Sequence, residues 1–412
     1  MWLKLFIYKI KRGYHWFKTG LFQGVPAEIT TAWPQRKLTI AAITGTDGKT
    51  TTSSLLHHLL IQSGIKAGLI TTVAAKIGNQ EVDTGLHVTN PQPKVLYTLL
   101  KKMLEAGCSH LVLEVTSHGA YQFRNWGIKP QIGGITNISH EHFDYHLNYL
   151  EYLKAKTIIF KRTPLVWAND EDQSFELLKK ILGRKIKAFS ASSHLPPAIK
   201  IAVEQRFPEK YNRLNAKLAI LMALDLGAKK AKIPQAILNF PALPGRMQPI
   251  ANKRKLNILV DFAHTPQAVE NALAALKNQK KGKKGRIIAI LGSAGQRDVS
   301  KRPIMGETAA RLADLAIFTA EDPRHENVWS IINQLKSELG KYHHKVLSIA
   351  DRGQAIYFAI NQLAKPHDTI VIMGKGHEKS LCFGETEYQW SDQEAAKQAL
   401  KNQLPVLGPV IN

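Results

Sequence analysis

Apolar residues in this chain fall into short continuous runs of strand length, separated by stretches long enough for a helix. The first series lies at residues 38–43, 110–115, 131–136 and 165–168. A glycine-containing loop follows the first run, then a helical stretch from Lys49 to about Ser63. A second series lies at residues 256–262, 286–291, 315–319, 346–349 and 369–373, again alternating with helices. Alternation of this kind predicts parallel sheets with crossover helices. The punctuation Pro241-Ala242-Leu243-Pro244-Gly245 separates the two series and predicts a domain boundary. The expected domains are therefore 36–245 and 246–412, with residues 1–35 as a segment of their own.

That segment has a different pattern. Leu3, Phe6, Ile7, Ile10, Tyr14, Phe17 and Leu21 recur at helical spacing on one face. Lys4, Lys9, Lys11, Arg12 and Lys18 fall elsewhere, and no acid precedes Glu28. A basic amphipathic helix over residues 1–22 suits peripheral contact with an anionic membrane surface or with a partner protein. It equally suits docking on its own protein through the apolar face.

Composition narrows the class. The apolar content of 44% and charged content of 21% are those of a globular chain, which excludes a disordered or collagenous one. No uninterrupted apolar stretch is long enough to span a bilayer, which takes about 18 residues or more. A secretory cleavage pattern is also missing. Cys108 and Cys382 cannot make a disulfide framework or a zinc site alone. A reducing, cytoplasmic setting is expected, with the inner membrane face as a peripheral option. The net charge of +24 favours anionic partners. Basic residues interleave with aromatics only at the N-terminus, so nucleic acid is not expected. The basic run 277–286 reads as a solvated loop.

The sharpest chemistry is Thr44-Gly45-Thr46-Asp47-Gly48-Lys49-Thr50-Thr51-Thr52, between a strand and a helix. Glycines let backbone N–H groups converge on phosphate, and the helix N-terminus adds its dipole. Lys49 can reach the β- and γ-phosphates, and Thr50 can ligate Mg²⁺. The usual P-loop has an earlier glycine where this chain has Ile43.

This shorter loop resembles the ATP loop of the Mur ligases, which build the peptide stem of peptidoglycan. The resemblance continues in order through Leu113-Glu114-Val115-Thr116-Ser117-His118-Gly119, residues 136–146, Tyr152-Leu153-Lys154-Ala155-Lys156 and Tyr211-Asn212-Arg213-Leu214-Asn215. It goes on through Leu243-Pro244-Gly245-Arg246-Met247, residues 261–266, Gln296-Arg297-Asp298, Asp322-Pro323-Arg324 and Gly374-Lys375-Gly376-His377-Glu378. It spans about residues 38–400 and is strongest to the members that add the third residue of the stem. The implied fold is α/β: a central P-loop ATPase domain with a mostly parallel sheet, then a Rossmann-like α/β C-terminal domain.

The resemblance implies an ATP- and Mg²⁺-dependent ligase that activates a carboxylate as an acyl phosphate and adds meso-diaminopimelate, or another diamino acid, to UDP-MurNAc-L-Ala-D-Glu. It implies Gly45, Thr46, Asp47, Gly48, Lys49, Thr50 and Thr51 at the phosphates, Asn215 at adenine, Arg246 at phosphate and His264 at the nucleotide. Thr50, Glu114 and His142 offer hard oxygens and an imidazole to the metal. Lys156 is implied to be carbamylated, which turns a cation into a carboxylate near Mg²⁺; spacing alone makes it a surface lysine. Lys49, Glu114, His142 and Lys156 form the catalytic set. Thr89, Ser117 and Arg124 are implied contacts of the muramoyl-dipeptide, with Asn90 where the family usually has Thr.

For the incoming amino acid, Arg324, Gly374 and Glu378 are implied to grip the distal end of meso-diaminopimelate. A guanidinium suits a distal carboxylate and would repel the ammonium of lysine. Asp322 stands where Asn is usual, after Glu321, and these two carboxylates also offer an ammonium site. Family members carry an N-terminal domain of about a hundred residues for the UDP end. Only about 35 residues precede the loop strand here. The expectations are a different hold on UDP, a partner that supplies the site, or an acceptor other than the soluble precursor. Two rivals remain: a folylpolyglutamate- or cyanophycin-type ligase, and a basic ATPase that binds nucleic acid or membrane.

Overall fold

The computed structural model describes residues 2–78, 80–82, 89–282 and 284–406, with only the backbone of Trp2. Its contacts divide the chain into two compact units. The first comprises residues 1–139 and 145–241; the second comprises 140–144 and 242–412.

In the first unit the strands are β1 (Thr39–Thr44), β2 (Ala67–Ile70), β3 (Ala75–Ile77), β4 (Gln80–Val82), β5 (His110–Glu114), β6 (Ile132–Ile135), β7 (Leu165–Asn169) and β8 (Ile186–Phe189). Among the described residues they form one sheet in the order β4-β3-β2-β5-β1-β6-β7-β8. β2, β5, β1, β6, β7 and β8 run parallel, and β3 and β4 are antiparallel additions at the edge. Ile40, Ala42, Leu111 and Leu113 are buried, as expected of strands covered on both faces. β1 lies at the centre, between β5 and β6, so its C-terminal loop opens where α/β sheets commonly bind ligands.

In the second unit the strands are β9 (Gln248–Ile250), β10 (Asn257–Asp261), β11 (Ile287–Leu291), β12 (Leu315–Phe318), β13 (Val346–Ser348), β14 (Thr369–Met373), β15 (Ser380–Phe383) and β16 (Thr386–Gln389). The sheet order among the described residues is β13-β12-β11-β14-β10-β9, parallel except for β9, with β15 and β16 as a separate hairpin. Alternate residues serve two cores. Ile258, Val260, Ile288, Ile290, Ile370 and Ile372 face one; Leu259, Ala289, Leu291, Val371 and Met373 face the other. The α/β class expected from the sequence is the observed one.

The N-terminal segment docks on its own unit, one of the two alternatives open for it, but by a different face. Helix Trp2–His15 continues as a π-type helix, Trp16–Gly24, and then as helix Val25–Thr30. These pack into the first unit, but not through the apolar stripe. Tyr8 is buried against Tyr121 and Ala155. A side chain at Gly20 or Gly24 would run into the Trp126 indole, so these two small residues seat the helix. The stripe itself faces away and is exposed. Shape decides this: the glycines allow a close approach that Phe6 or Ile10 would prevent.

The basic run 277–286 is not wholly a solvated loop. It begins in the last turn of helix Pro266–Gln279 and ends at Arg286, which pairs with Asp368 at 2.7 Å. Lys283 lies outside the described residues.

Candidate active site

The loop after β1 is held from both sides of its own unit. Thr46 N–H donates to the Asn137 carbonyl at 2.8 Å, and Asp47 N–H to Asn137 Oδ1 at 3.0 Å. Thr136 Oγ1 and Asn137 Nδ2 both donate to the Asp47 carbonyl. Gly48 caps helix Lys49–Gln62 at φ +78°, in the left-handed region that glycine adopts without strain. A side chain there would also strike the Asn215 amide. The residue expected at adenine thus lies directly against the phosphate loop.

Glu114, at the end of β5, is 1% exposed. Thr50 Oγ1 donates to its Oε2 at 3.0 Å, Thr72 N–H to the same oxygen at 3.2 Å, and Thr72 Oγ1 to Oε1 at 2.9 Å. Thr72 and Thr89 hydroxyls are hydrogen-bonded at 2.7 Å. Asn90 joins the rest: its Nδ2 donates to the Glu114 carbonyl at 2.8 Å, and its Oδ1 accepts from Thr116 N–H at 2.8 Å. Arg124 Nη1 donates to the Asn90 carbonyl at 3.0 Å. Ser117 is buried at the start of the following short helix, Ser117–Tyr121. Neither Thr72 nor Asn90 was assigned a role from sequence; only the adjacency of β2 and β5 brings Thr72 to Glu114.

Lys156 is not the surface lysine that its spacing suggests. It is buried, donates to the Gly45 carbonyl, and lies over the Tyr152 ring at 4.4 Å from its centroid. Tyr152 Oη is hydrogen-bonded to Thr46 Oγ1 at 3.2 Å. Lys49 Nζ donates to the Thr46 carbonyl at 2.7 Å, and Thr51 continues the same helix.

His142 lies in the 140–144 segment, which belongs to the second unit. It adopts φ +58°, and its Nδ1 lies 3.8 Å from Glu141 Oε1. Glu141 pairs with Lys301 at 3.0 Å, and Lys301 also donates to the His264 carbonyl at 2.8 Å. Arg246 lies over the Phe262 ring at 4.7 Å. His264 and His377 flank the same ring, with centroids 4.5 and 5.0 Å away.

Arg324 adopts φ +51° and donates from Nη1 to the Gly295 carbonyl at 2.9 Å. Its N–H donates to the Cys382 carbonyl. Buried Lys375 bridges Asp322 at 2.7 Å and Glu378. Asp322 Oδ1 also accepts from Cys382 N–H at 3.0 Å, so this carboxylate is already neutralised inside the fold. Glu321 lies against Gly374, and burial pushes its carboxyl up to about 7. Arg297 is a basic residue that the Gln296-Arg297-Asp298 motif alone does not single out. Burial lowers its guanidinium pKa, and the like charge of Arg324 lowers it further. Two guanidiniums that repel one another suit an anionic group.

Sequence comparison matches the Mur ligase middle domain to residues 43–223 and the Mur ligase, glutamate ligase domain to residues 245–376. The UDP-N-acetylmuramoyl-L-alanyl-D-glutamate--2,6-diaminopimelate ligase 1 of Clostridium acetobutylicum is 31% identical over 389 residues, 89% of this chain and 79% of that protein. The chain belongs to the Mur ligase family. Its members are ATP-dependent ligases. The corresponding diaminopimelate ligase of Phocaeicola vulgatus is 33% identical over 389 residues, 90% of this chain and 80% of that protein. A solved structure of such a ligase superposes with a TM-score of 0.57 at 26% identity, covering 91% of this chain and 82% of that one. Folylpolyglutamate synthase of Mycobacterium tuberculosis shares the fold, with a TM-score of 0.66 at 16% identity over 86% of this chain and 92% of that one.

Within this Mur ligase, Thr50 and Glu114 present a hydroxyl and a carboxylate together, hard donors that fit Mg²⁺. Among the described residues no three His, Cys, Asp or Glu side chains cluster as a metal site. No helix among them is long and apolar enough to cross a membrane.

Proposed function

We propose that this Mur ligase adds the third residue of the peptidoglycan stem in the cytoplasm, joining meso-diaminopimelate to UDP-MurNAc-L-Ala-D-Glu with ATP. The observation that carries this reading is the Glu114 carboxylate. One of its oxygens takes Thr50 from the ATP-loop helix, and the other takes Thr72, which is hydrogen-bonded to Thr89 on the acceptor side.

In this reading the 45–48 loop and Lys49 cradle the ATP phosphates, Asn215 meets adenine, and Arg246 and His264 complete the nucleotide site. Thr89, Ser117 and Arg124 hold the dipeptide so that its terminal carboxylate oxygen faces the γ-phosphorus. That oxygen forms the new P–O bond as the bond to ADP breaks, giving an acyl phosphate. The amine of the amino acid then forms the C–N bond, phosphate leaves, and the amine proton passes to solvent. Positioning and charge neutralisation supply most of the rate of such a transfer.

Mg²⁺, when bound, neutralises charge between the phosphates and the acceptor carboxylate. Thr50, Glu114, His142 and a carbamate on Lys156 would hold it. Carbamylation needs a neutral amine, uncommon at an ordinary lysine pKa of about 10.4, and Lys156 is buried with its amine against the Gly45 carbonyl. Arg324, Gly374 and Glu378, with Arg297, would hold the distal end of diaminopimelate.

The test is ATP turnover with UDP-MurNAc-dipeptide and either meso-diaminopimelate or lysine, with product mass measured. A tripeptide product with diaminopimelate is expected. ADP release without an amide product would overturn the reading.

A further inference from the structure

The N-terminal helices present a surface that the ligase chemistry does not use. They are fixed to the first unit along one face only. Tyr8 Oη and His146 Nδ1 are hydrogen-bonded at 2.9 Å, and Tyr121 Oη donates to the Tyr8 carbonyl. Arg12 stacks over Phe123, Trp16 meets Trp126 edge-on, and Gly20 and Gly24 receive the Trp126 indole. Further along, Glu28 accepts from Tyr97 Oη at 2.9 Å and from Gln35 at 2.7 Å. This seat is polar, small and aromatic, and it is complete without the apolar stripe.

The stripe lies on the other side of the helix. Leu3, Phe6, Ile7, Ile10, Tyr14 and Phe17 remain between 43% and 70% exposed. Their spacing keeps them on one face, while Tyr8, Arg12 and His15 turn inward. Large apolar side chains in a continuous row are not ordinary scatter on a soluble surface. Lys4 and Lys11, seven residues apart in the α-helix, share one edge beside the stripe, and Lys18 follows in the π-type helix. Lys9 lies toward the other edge, and no acid precedes Glu28.

We propose that this stripe binds the surface of an anionic phospholipid bilayer, with the helix lying in the interface plane and the first unit held against it. Charge selects the occupant. A second copy of the helix would set lysines against lysines, whereas acidic headgroups neutralise both edges while the acyl boundary takes the apolar row. Because the seat and the stripe are opposite faces, binding needs no detachment of the helix. The seat includes Tyr121 and Phe123, in the segment that also carries Ser117 and Arg124, so the acceptor-side residues lie just behind the lipid-facing helix.

The experiment is co-sedimentation of the full chain with vesicles of phosphatidylglycerol or of phosphatidylcholine, at low and high salt. Binding is expected to the anionic vesicles and to weaken with salt. Phe6→Glu/Ile10→Glu/Phe17→Glu should lose about tenfold or more of that binding, with its melting temperature kept because the seat is untouched. Lys4→Gln/Lys11→Gln/Lys18→Gln, which spares every apolar residue, should lose the preference for anionic vesicles and the salt dependence. Equal binding to both lipids, or no binding at low salt, would overturn the proposal. So would wild-type dimers by light scattering, dissociated by the Phe6/Ile10/Phe17 variant, in a protein that ignores vesicles.

Discussion

The Thr50 hydroxyl donates to Glu114 Oε2 at 3.0 Å, so the first turn of the ATP-loop helix and the end of a neighbouring strand meet at one buried carboxylate. The bond fixes the carboxylate with both oxygens accepting from uncharged donors, Thr50 and Thr72. Such donors hold it as an acceptor without neutralising it. A cation brought here therefore meets two fixed carboxylate oxygens in a nearly dry site.

Glu114→Gln should for that reason lose activity and keep the fold. The amide conserves shape and one acceptor oxygen but removes the charge. A loss of about 10²–10³-fold in kcat is expected, the scale of one electrostatic contact at a phosphoryl or acyl transfer centre. Lys49→Ala should lose at least as much. Circular dichroism and melting checks would accompany the assay. Turnover within a factor of about two of the wild type for either variant would remove these residues from the active site.

Lys156 should carry a carbamate. Its amine is buried under the phosphate loop, beside the Gly45 carbonyl, and a carbamate there would offer an anionic oxygen to the proposed Mg²⁺. With ¹³C-bicarbonate, the active enzyme should show a carbamate carbon signal that disappears in Lys156→Ala. Lys156→Glu should retain more ligase activity than Lys156→Ala, since it restores an anionic oxygen at shorter reach. An active enzyme with no such signal, in the same buffer, would contradict the assignment.

Arg324→Ala should raise KM for meso-diaminopimelate and leave KM for ATP nearly unchanged. A charge-assisted contact is worth roughly 1.5–3 kcal/mol, or about tenfold to a few hundredfold. Asp322 was one of two carboxylates that offered an ammonium site, but it is tied to Lys375 and to the Cys382 N–H. Asp322→Asn should therefore leave the choice of amino acid unchanged. Lysine used by the wild type as well as diaminopimelate would overturn the role of Arg324.

What could be read from the sequence was whatever depends on neighbours along the chain. The residue 38–43 run became β1, the loop and helix followed at Lys49, and Thr369–Met373 formed as expected. β2, only Ala-Gly-Leu-Ile, is too short and weak to announce itself, so the role of Thr72 on Glu114 was hidden with it. Lys156 gave no local sign of burial, because what covers it is a loop more than a hundred residues away in the chain. The apolar stripe at the N-terminus was plain, but periodicity reports amphipathicity and not which face finds a partner. Gly20 and Gly24 decided that, through an indole that no spacing rule could supply.

Glu321 should make the second unit's stability depend on pH in an unusual direction. Its carboxyl is buried, Oε2 has no hydrogen-bond partner among the described residues, and Lys301, Asp322, Lys375 and Arg352 are the charges that act on it. Burial outweighs the three cations and raises the pKa from the ordinary 4.5 to about 7. Between those values the folded protein holds a proton that the unfolded chain has released. Stability contributed by this group is therefore present at low pH, falls as pH rises toward about 7, and is lost above it. Glu321→Gln removes the titration while keeping the shape. Relative to the wild type, the variant should gain on the order of 1–3 kcal/mol at pH 8 and much less at pH 5. Melting curves or urea unfolding at the two pH values measure this difference. A gap that stays constant, or one that is larger at pH 5, would show that the carboxylate remains ionised across the range and is held by Lys301, Lys375 and Arg352 after all.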